Sequence, residues 1–288
     1  MVPLVSIIIP TYNRAHVISG ALNSLLYQQY PHTEIIVVDD GSRDTDALVG
    51  VIRDFRRRFA GELTLVHRKN TGPGGARAHG LRLSKGHYIQ YLDSDDVLLP
   101  GAIKRHVTAL EAHPNAAVAY GITLEEQPDG TRVERMFARD YVPDLLEATL
   151  QWRRWNTSNP LWHYPGDDWR ARKWWSDAAT NEDFVHDVRV ACMNQRMVFI
   201  PEPAMLYRIL TGDRRSTKRG QSITKARFLP MMEVRQAIED AGLMHQPRYA
   251  LFFAERCLFE AVQAGKYGCW KEIFSLQIGR WPIFQVRC

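Results

Sequence analysis

The sequence predicts an α/β protein whose mostly parallel sheet is flanked by helices, with a second lobe and a helical C-terminal extension behind it. Two patterns carry that expectation. Short apolar runs rich in β-branched residues alternate with segments of helical period from residue 4 to about residue 93. At the end of each of the first four runs the chain turns abruptly polar. Size and composition agree: 288 residues with 45% hydrophobic and 24% charged side chains can build one large soluble α/β domain without staples.

The first run, LVSIIIP (4–10), has the continuous apolar character of a strand buried on both faces. HVISGALNSLLYQQ (16–29) follows, with Val17, Ile18, Ala21, Leu22, Leu25 and Leu26 along one helical stripe. TEIIVVD (33–39) is the second strand, Leu48, Val49, Ile52 and Phe55 mark the second helix, and LTLVHR (63–68) is the third strand. GGARAHGLRLS reads as a helix despite its glycines and leads into a fourth strand, HYIQYLD. This order implies parallel strands joined by helical crossovers. Beyond residue 120 the regularity fades: YGITLEEQPDGTRVERMF (120–137) reads as a hairpin turning at Pro128-Asp129-Gly130. Residues 150–177 are rich in tryptophan, and from about 225 the pattern is helical again.

Cys192, Cys257, Cys269 and Cys288 are widely spaced and match neither a zinc ribbon nor a disulfide framework. The N-terminus lacks a basic leader and no apolar run approaches about 18 residues. Neither a signal peptide nor a transmembrane helix is therefore expected, and the chain is placed in the cytoplasm. The net charge is +5, and the basic clusters RDFRRRF (53–59) and DRRSTKRG (213–220) read as solvated faces rather than as a nucleic-acid site.

In an open parallel sheet, ligands bind beyond the carboxyl ends of the strands. There the first strand meets PTYNR (10–14), the second DDGSRD (39–44), the third NTGPGGAR (70–77) and the fourth DSDD (93–96). Acids beside a bound diphosphate repel it unless a hard divalent cation takes oxygen ligands from both. Asp93 and Asp95, two residues apart, share one side of an extended segment. Gly72, Gly74 and Gly75 permit close backbone approach to a ligand or positive φ. Their place after the third strand, with Pro-Thr-Tyr-Asn after the first, disfavours a dinucleotide-binding Rossmann domain.

Taken in order, PTYNR, VVDDGSRD, NTGPGGAR, YIQYLDSDD and the later NEDF (181–184) resemble the motifs of family 2 glycosyltransferases with the GT-A fold, over roughly residues 4–210. The resemblance implies an inverting, metal-dependent transfer of a sugar from a nucleoside-diphosphate sugar, most often a UDP-sugar, to a hydroxyl acceptor. Mn2+ or Mg2+ is the implied cofactor. The pattern along the chain divides it into a nucleotide-sugar-binding half over 1–123, an acceptor-binding and catalytic half over 124–220, and a helical extension over 221–288, which carries none of these motifs.

The same resemblance assigns residues. Pro10, Thr11, Tyr12 and Arg14 belong to the donor side, and Asp40, an acid at the surface edge of the sheet, accepts a hydrogen bond from the base with Asp39 nearby. Arg77 lies near the donor phosphates or braces these acids. DSD matches the DXD motif: Asp95 ligates the metal, Asp93 contacts the ribose or donor sugar, Ser94 lies between them, and Asp96 caps the following turn. In NEDF, Asp183 is the general base and Glu182 an acceptor or metal-shell contact. YRILTGDRRSTKRGQS (207–222) is similar to the family's late loop over the diphosphate. Where relatives often carry a histidine this chain has Leu210, which leaves Arg208, Arg214 and Arg215 as alternative phosphate contacts. Among Trp152, Trp155, Trp162, Trp169, Trp174 and Trp175, most are expected to pack and Trp175 to contact the acceptor.

An ordinary structural role competes at each place. Asp39 and Asp40 are also placed to cap a helix, Glu182 and Asp183 to begin one, and the arginines to sit on a solvated surface. Saccharide, glycolipid and secondary-metabolite acceptors all stay open. So does a homodimer, while KEIFSLQIGRWPIFQV (271–286) is expected to dock on its own domain in preference to a partner or the inner face of a membrane. Two rival functions are a catalytically silent nucleotide-sugar-binding subunit and a nucleotidyltransferase. The second would carry a basic, glycine-rich loop after the first strand, which PTYNR is not.

Overall fold

The computed structural model describes residues 2–135, 144–151, 154–178, 180–208 and 228–265. Strands β1 (Val5–Thr11), β2 (Thr33–Asp39), β3 (Glu62–His67) and β4 (Tyr88–Tyr91) lie parallel in the order β3-β2-β1-β4. Helices α1 (Ile18–Leu25), α2 (Thr45–Arg56) and α3 (Pro73–Leu83) make the crossovers between them. The expected βαβαβαβ order is thus present. Register aligns the strand ends: Thr11 pairs with Asp39, and Asp39 with His67. Three polar loops therefore leave the sheet side by side.

Past β4 the sheet changes direction. The short strand β8 (Leu161–Trp162) runs antiparallel to β4 and to β6 (Val118–Glu126), which pairs in parallel with the long β9 (Met197–Arg208). At the far edge β5 (Val97–Leu98) is antiparallel to β9, and β7 (Arg132–Glu134) closes the expected hairpin on β6. Gly130, at φ +83°, sits in that hairpin's turn. One sheet thus carries strands from both sides of residue 123, and β6 itself crosses it.

Both faces of the central strands β1, β2 and β4 are covered, which is why their side chains are mostly apolar. In β1, Val5, Ile7 and Ile9 enter one core and Ile8 the other, as a two-residue side-chain period requires. Ile18, Ala21, Leu22 and Leu25 of α1, and Leu48, Ile52 and Phe55 of α2, fill the first core. Helix α4 (Ala102–Ala112) joins them through Ile103, Val107 and Leu110. Val49, counted in the apolar stripe of α2, instead faces solvent. The opposite face packs α3, α5 (Leu145–Gln151) and α6 (Glu182–Met193). Helices α7 (Phe228–Asp240) and α8 (Pro247–Gly265) belong to that same core: Val234, Ile238, Phe253 and Cys257 cluster with Val185 and Val188. The described helices of the C-terminal region thus share a core with α5 and α6. The segment 271–286, Trp152, Leu210, Arg214 and Arg215 lie outside the described residues. Among the described residues no helix is long and apolar enough to cross a membrane.

Candidate active site

The polar ends of β1 to β4 open onto a cleft of about 770 Å³, whose far wall is the start of α6. Its size is that of a small-molecule site. Pro10, Thr11, Tyr12 and Arg14 line it. Thr11 is buried, and its hydroxyl has no hydrogen-bond partner among the described residues. The loop after β1 is laced to the loop after β2: Asn13 N–H donates to Ser42 Oγ at 2.8 Å, and Arg43 N–H donates to Asn13 Oδ1 at 2.8 Å.

Asp39 and Asp40 divide the two roles weighed for them. Asp39 does not line the cleft. Its carboxylate accepts from Ser42 N–H at 3.0 Å, Thr45 Oγ at 3.2 Å and His67 Nδ1 at 2.9 Å, so it organises the turn into α2. Burial opposes its charge, but these donors outweigh burial and hold its carboxyl below the usual value. Asp40 does line the cleft, yet it is only 3% exposed and not the surface-edge acid expected. It accepts main-chain N–H groups from Gly72 at 2.8 Å and Thr71 at 3.1 Å, and it pairs with Arg68 at 3.3 Å. The loop into α3 is folded around it.

The glycines of that loop serve two purposes. Gly72, at φ +89°, adopts a backbone conformation that L-residues rarely take, and nothing stands within 4 Å of where its Cβ would be. Gly74 instead makes a close protein contact: a Cβ there would come 2.2 Å from the carbonyl oxygen of Ser176 and 3.2 Å from Glu182 Cβ. The glycine allows α3 to sit against the start of α6.

Asp93–Asp96 form a turn closed by Asp96 N–H to Asp93 O at 3.0 Å, not the extended segment expected. The turn sends its acids to different partners. Asp93 meets Arg77 at 2.6 Å, and Asp95 lies 3.6 Å from Arg14. Asp96 is buried and accepts from Ser158 Oγ at 2.6 Å. Ser94 lines the cleft. Arg77 reaches from α3 to both walls, pairing also with Glu182 at 3.2 Å. Burial alone would lower its pKa, but Asp93 and Glu182 outweigh that and raise it. Of the two roles weighed for Arg77, bracing acids is the one this geometry displays.

On the far wall Asp183 occupies the first turn of α6, where the helix dipole complements a carboxylate. Thr157 Oγ donates to it at 3.1 Å, and its other oxygen accepts the N–H of Phe184 at 2.9 Å. Arg208 lies at the back of the DSD turn, where its Nε donates to the Asp95 carbonyl at 3.1 Å. It is not a lining residue of the cleft. Trp175 requires a correction: it is 2% exposed and packs behind Arg77 rather than lining the cleft. Its indole N–H goes to Tyr91 Oη at 3.0 Å, so core packing has won there. Trp155 is equally buried in the same core, but it does reach the cleft wall. Trp162, Trp169 and Trp174 are buried, as packing requires.

Sequence reading missed Asn156, Thr157, Arg135 and Tyr207 as lining residues and Ser158 as the link between the DSD turn and the tryptophan stretch. The one usable signal was the short polar run Asn156-Thr157-Ser158-Asn159 inside an aromatic segment. Among the described residues the lining holds Asp40, Asp93, Asp95, Asp96, Glu182 and Asp183 against Arg14, Arg77 and Arg135. An anionic ligand would enter this excess of carboxylates most readily with a cation of its own.

A sequence profile described as glycosyl transferase family 2 matches residues 6–173, more than half of the chain. The chain belongs to that family. Among its relatives, the succinoglycan biosynthesis protein ExoO of Rhizobium meliloti is 37% identical over 150 residues, covering 52% of this chain and 41% of ExoO. The uncharacterized glycosyltransferase EpsJ of Bacillus subtilis is 34% identical over 148 residues, 51% of this chain and 40% of EpsJ. The match reaches only 19% of the length of an uncharacterized glycosyltransferase of Rickettsia felis, at 37% identity over 41% of this chain. This family 2 chain therefore matches well under half the length of those relatives. Its fold is that of GT-A structures: S. aureus TarS 1-349 in complex with UDP superposes with a TM-score of 0.66 at 19% identity, over 88% of this chain and 70% of that TarS 1-349 chain. The mannosyltransferase PcManGT of Pyrobaculum calidifontis, in complex with GDP-Man and Mn2+, gives 0.55 at 18% identity, over 98% and 84% of the two chains.

Proposed function

We propose that this chain transfers a sugar, with inversion, from a nucleoside-diphosphate sugar to a hydroxyl acceptor. One observation carries the reading: the cleft joins the donor-side loops of a family 2 sheet to an acid, Asp183, on the opposite wall. Thr11, Tyr12 and Asp40 receive the nucleoside, while Asp93 and Ser94 face the ribose or sugar. A UDP-sugar is the preferred donor, a choice supported by the UDP complex of TarS.

The donor set suits a hard divalent cation. Asp93 and Asp95 supply carboxylate oxygens at the cleft. Mg2+ characteristically takes one or two carboxylates and leaves the rest of its shell to phosphates and water. Asp95 would hold the ion, with Glu182 near its shell. When bound, Mn2+ or Mg2+ neutralises charge on the departing diphosphate. Asp183 removes the acceptor proton at its carboxylate while the hydroxyl oxygen attacks the anomeric carbon and the bond to the diphosphate breaks. Thr157 orients that carboxylate.

Calorimetric titration of UDP and GDP, with and without Mn2+, tests the donor and metal assignments together. Expected are UDP binding that depends on Mn2+ and loss of that dependence in Asp95→Asn; equal metal dependence in both proteins would remove Asp95 from the metal site. NMR coupling at the anomeric centre of the product tests the stereochemistry, and retention there would end the single-displacement reading.

A further inference from the structure

Beneath the cleft lies a buried chain of polar side chains that the transfer chemistry does not use. Trp155 Nε1–H donates to Asp187 Oδ2 at 3.0 Å, and the other oxygen of Asp187 lies 2.9 Å from His186 Nδ1. His186 Nε2 meets Tyr164 Oη at 2.5 Å, Tyr164 meets Tyr91 Oη at 2.8 Å, and Trp175 Nε1–H donates to Tyr91 Oη at 3.0 Å. All six side chains are 4% exposed or less.

Proton accounting gives this chain a direction. Indole N–H groups only donate and an ionised carboxylate only accepts, so the two ends are fixed. With His186 neutral and protonated at Nδ1, it donates to Asp187 and accepts from Tyr164, which accepts from Tyr91, which accepts from Trp175. Every donor then has an acceptor. A proton on Nε2 would turn Tyr164 toward Tyr91 and leave the Tyr91 O–H without an acceptor among the described residues. Leaving a buried donor unmade costs about 1–3 kcal/mol. The Nδ1–H tautomer is therefore selected.

Both ends of the chain touch the site. Trp155 is part of the cleft wall. Trp175 stacks on His186 with ring centroids 4.3 Å apart, and the Arg77 guanidinium lies 4.8 Å from the Trp175 ring centroid. Arg77 in turn holds Asp93 and Glu182 from the two walls. We infer that His186 and Asp187 are positioning residues of the transfer site: they set Trp155 in the wall and, through Trp175, seat Arg77 between Asp93 and Glu182. The effect on transfer rests on the proposed function, whereas the geometric claim does not.

Asp187→Asn preserves shape but places an amide where one of two donors needs an acceptor. Side-chain 15N NMR of the ligand-free protein gives the first test. In the wild type His186 should be the neutral Nδ1–H tautomer. The groups facing it are Asp187, Tyr164 and Tyr91, with Arg77 behind Trp175. In Asp187→Asn the tautomer should change, and the Arg77 and Trp175 side-chain signals should move together. A wild-type His186 protonated at Nε2, or Arg77 and Trp175 signals unmoved by Asp187→Asn, would overturn the inference. If Asp187→Asn does not fold, Tyr164→Phe, which cuts the chain at its centre, is judged by the same signals.

The second test is functional. Affinity for UDP or GDP with Mn2+, and turnover, should fall about tenfold or more in Asp187→Asn, since small misplacements of site groups are costly. Tyr91→Phe should act on the same quantities and be non-additive with it. Lowered thermal stability with unchanged affinity and turnover would mean packing alone and sink the idea. If wild type binds neither nucleotide, the proposed function fails, and the positioning claim is decided by the NMR signals alone.

Discussion

The two acids at the end of β2 draw on main-chain donors as well as side chains, whereas the acids of the DSD turn and of the α6 wall are held chiefly by side chains from other segments. Asp39 takes the N–H of Ser42, and Asp40 takes those of Thr71 and Gly72. Across the cleft, Glu182 depends on Arg77, Asp183 on Thr157 together with the N–H of Phe184, and Asp187, beneath the wall, on Trp155 and His186. Main-chain donors belong to turns the backbone makes in any case, so a substituted acid there costs roughly one capping interaction. A side-chain donor removed from the other wall leaves a buried charge or carboxylate without its counterpart, which costs more. The two walls should therefore fail differently when perturbed.

The largest expected effect is at the one residue that joins the walls. Arg77→Met should lower the free energy of unfolding by about 3–5 kcal/mol, because two carboxylates lose a buried partner at once. Arg77→Lys should recover only part of this, since a compact ammonium lacks the fork that spans both acids. Urea denaturation measures both; a loss below about 1 kcal/mol for Arg77→Met would show that the walls are held apart from this clamp.

Next comes the acid of the far wall. Asp183→Asn keeps the shape and removes the proton acceptor, so turnover should fall by about 10²-fold or more. UDP affinity should stay close to wild type, because a base that acts on the acceptor adds to the transition state and not to donor binding. Steady-state kinetics beside calorimetry separate the two, and normal turnover would strike Asp183 from the mechanism.

On the near wall the effect should be smaller and mixed. Asp40→Ala should weaken nucleotide binding and also cost about 1–2 kcal/mol of stability, as loss of a cap for two main-chain donors does. Stability loss with unchanged affinity per folded molecule would leave Asp40 a cap only. Smallest is the acid dependence of Asp39. Its folded-state pKa is lowered, so its contribution is complete above its ordinary value, about pH 4, and is lost as pH falls through the lower folded value. Comparing wild type with Asp39→Asn by urea unfolding from about pH 6 down to about pH 3 should show a gap that closes at the acid end. A gap independent of pH would mean that the charge of Asp39 is not what its donors stabilise.

The same division separates what could be read in advance from what could not. TEIIVVD is β2 residue for residue, and PTYNR, DDGSRD, NTGPGGAR and DSDD do meet at one edge of the sheet. The family motifs also named Asp40, Asp95 and Asp183 as lining residues of one cleft. By contrast, the two-residue strands β5 and β8 have no period to detect, and they exist only because β9, β4 and β6 offer edges to pair with. Trp155 and Trp175 lie in one tryptophan-rich stretch, yet one lines the cleft and the other lies in the core behind it.

By itself the sequence determined the parallel half of the sheet and the acids at its edge, because side-chain period and turn chemistry act within a few residues. Tertiary structure decided which acid meets which partner. Arg77 and Glu182 are 105 residues apart in the chain, Ser158 and Asp96 are 62 apart, and Thr157 and Asp183 are 26 apart. No local pattern encodes such pairs; they follow from the order of the strands and from α3 and α6 packing on one face of the sheet.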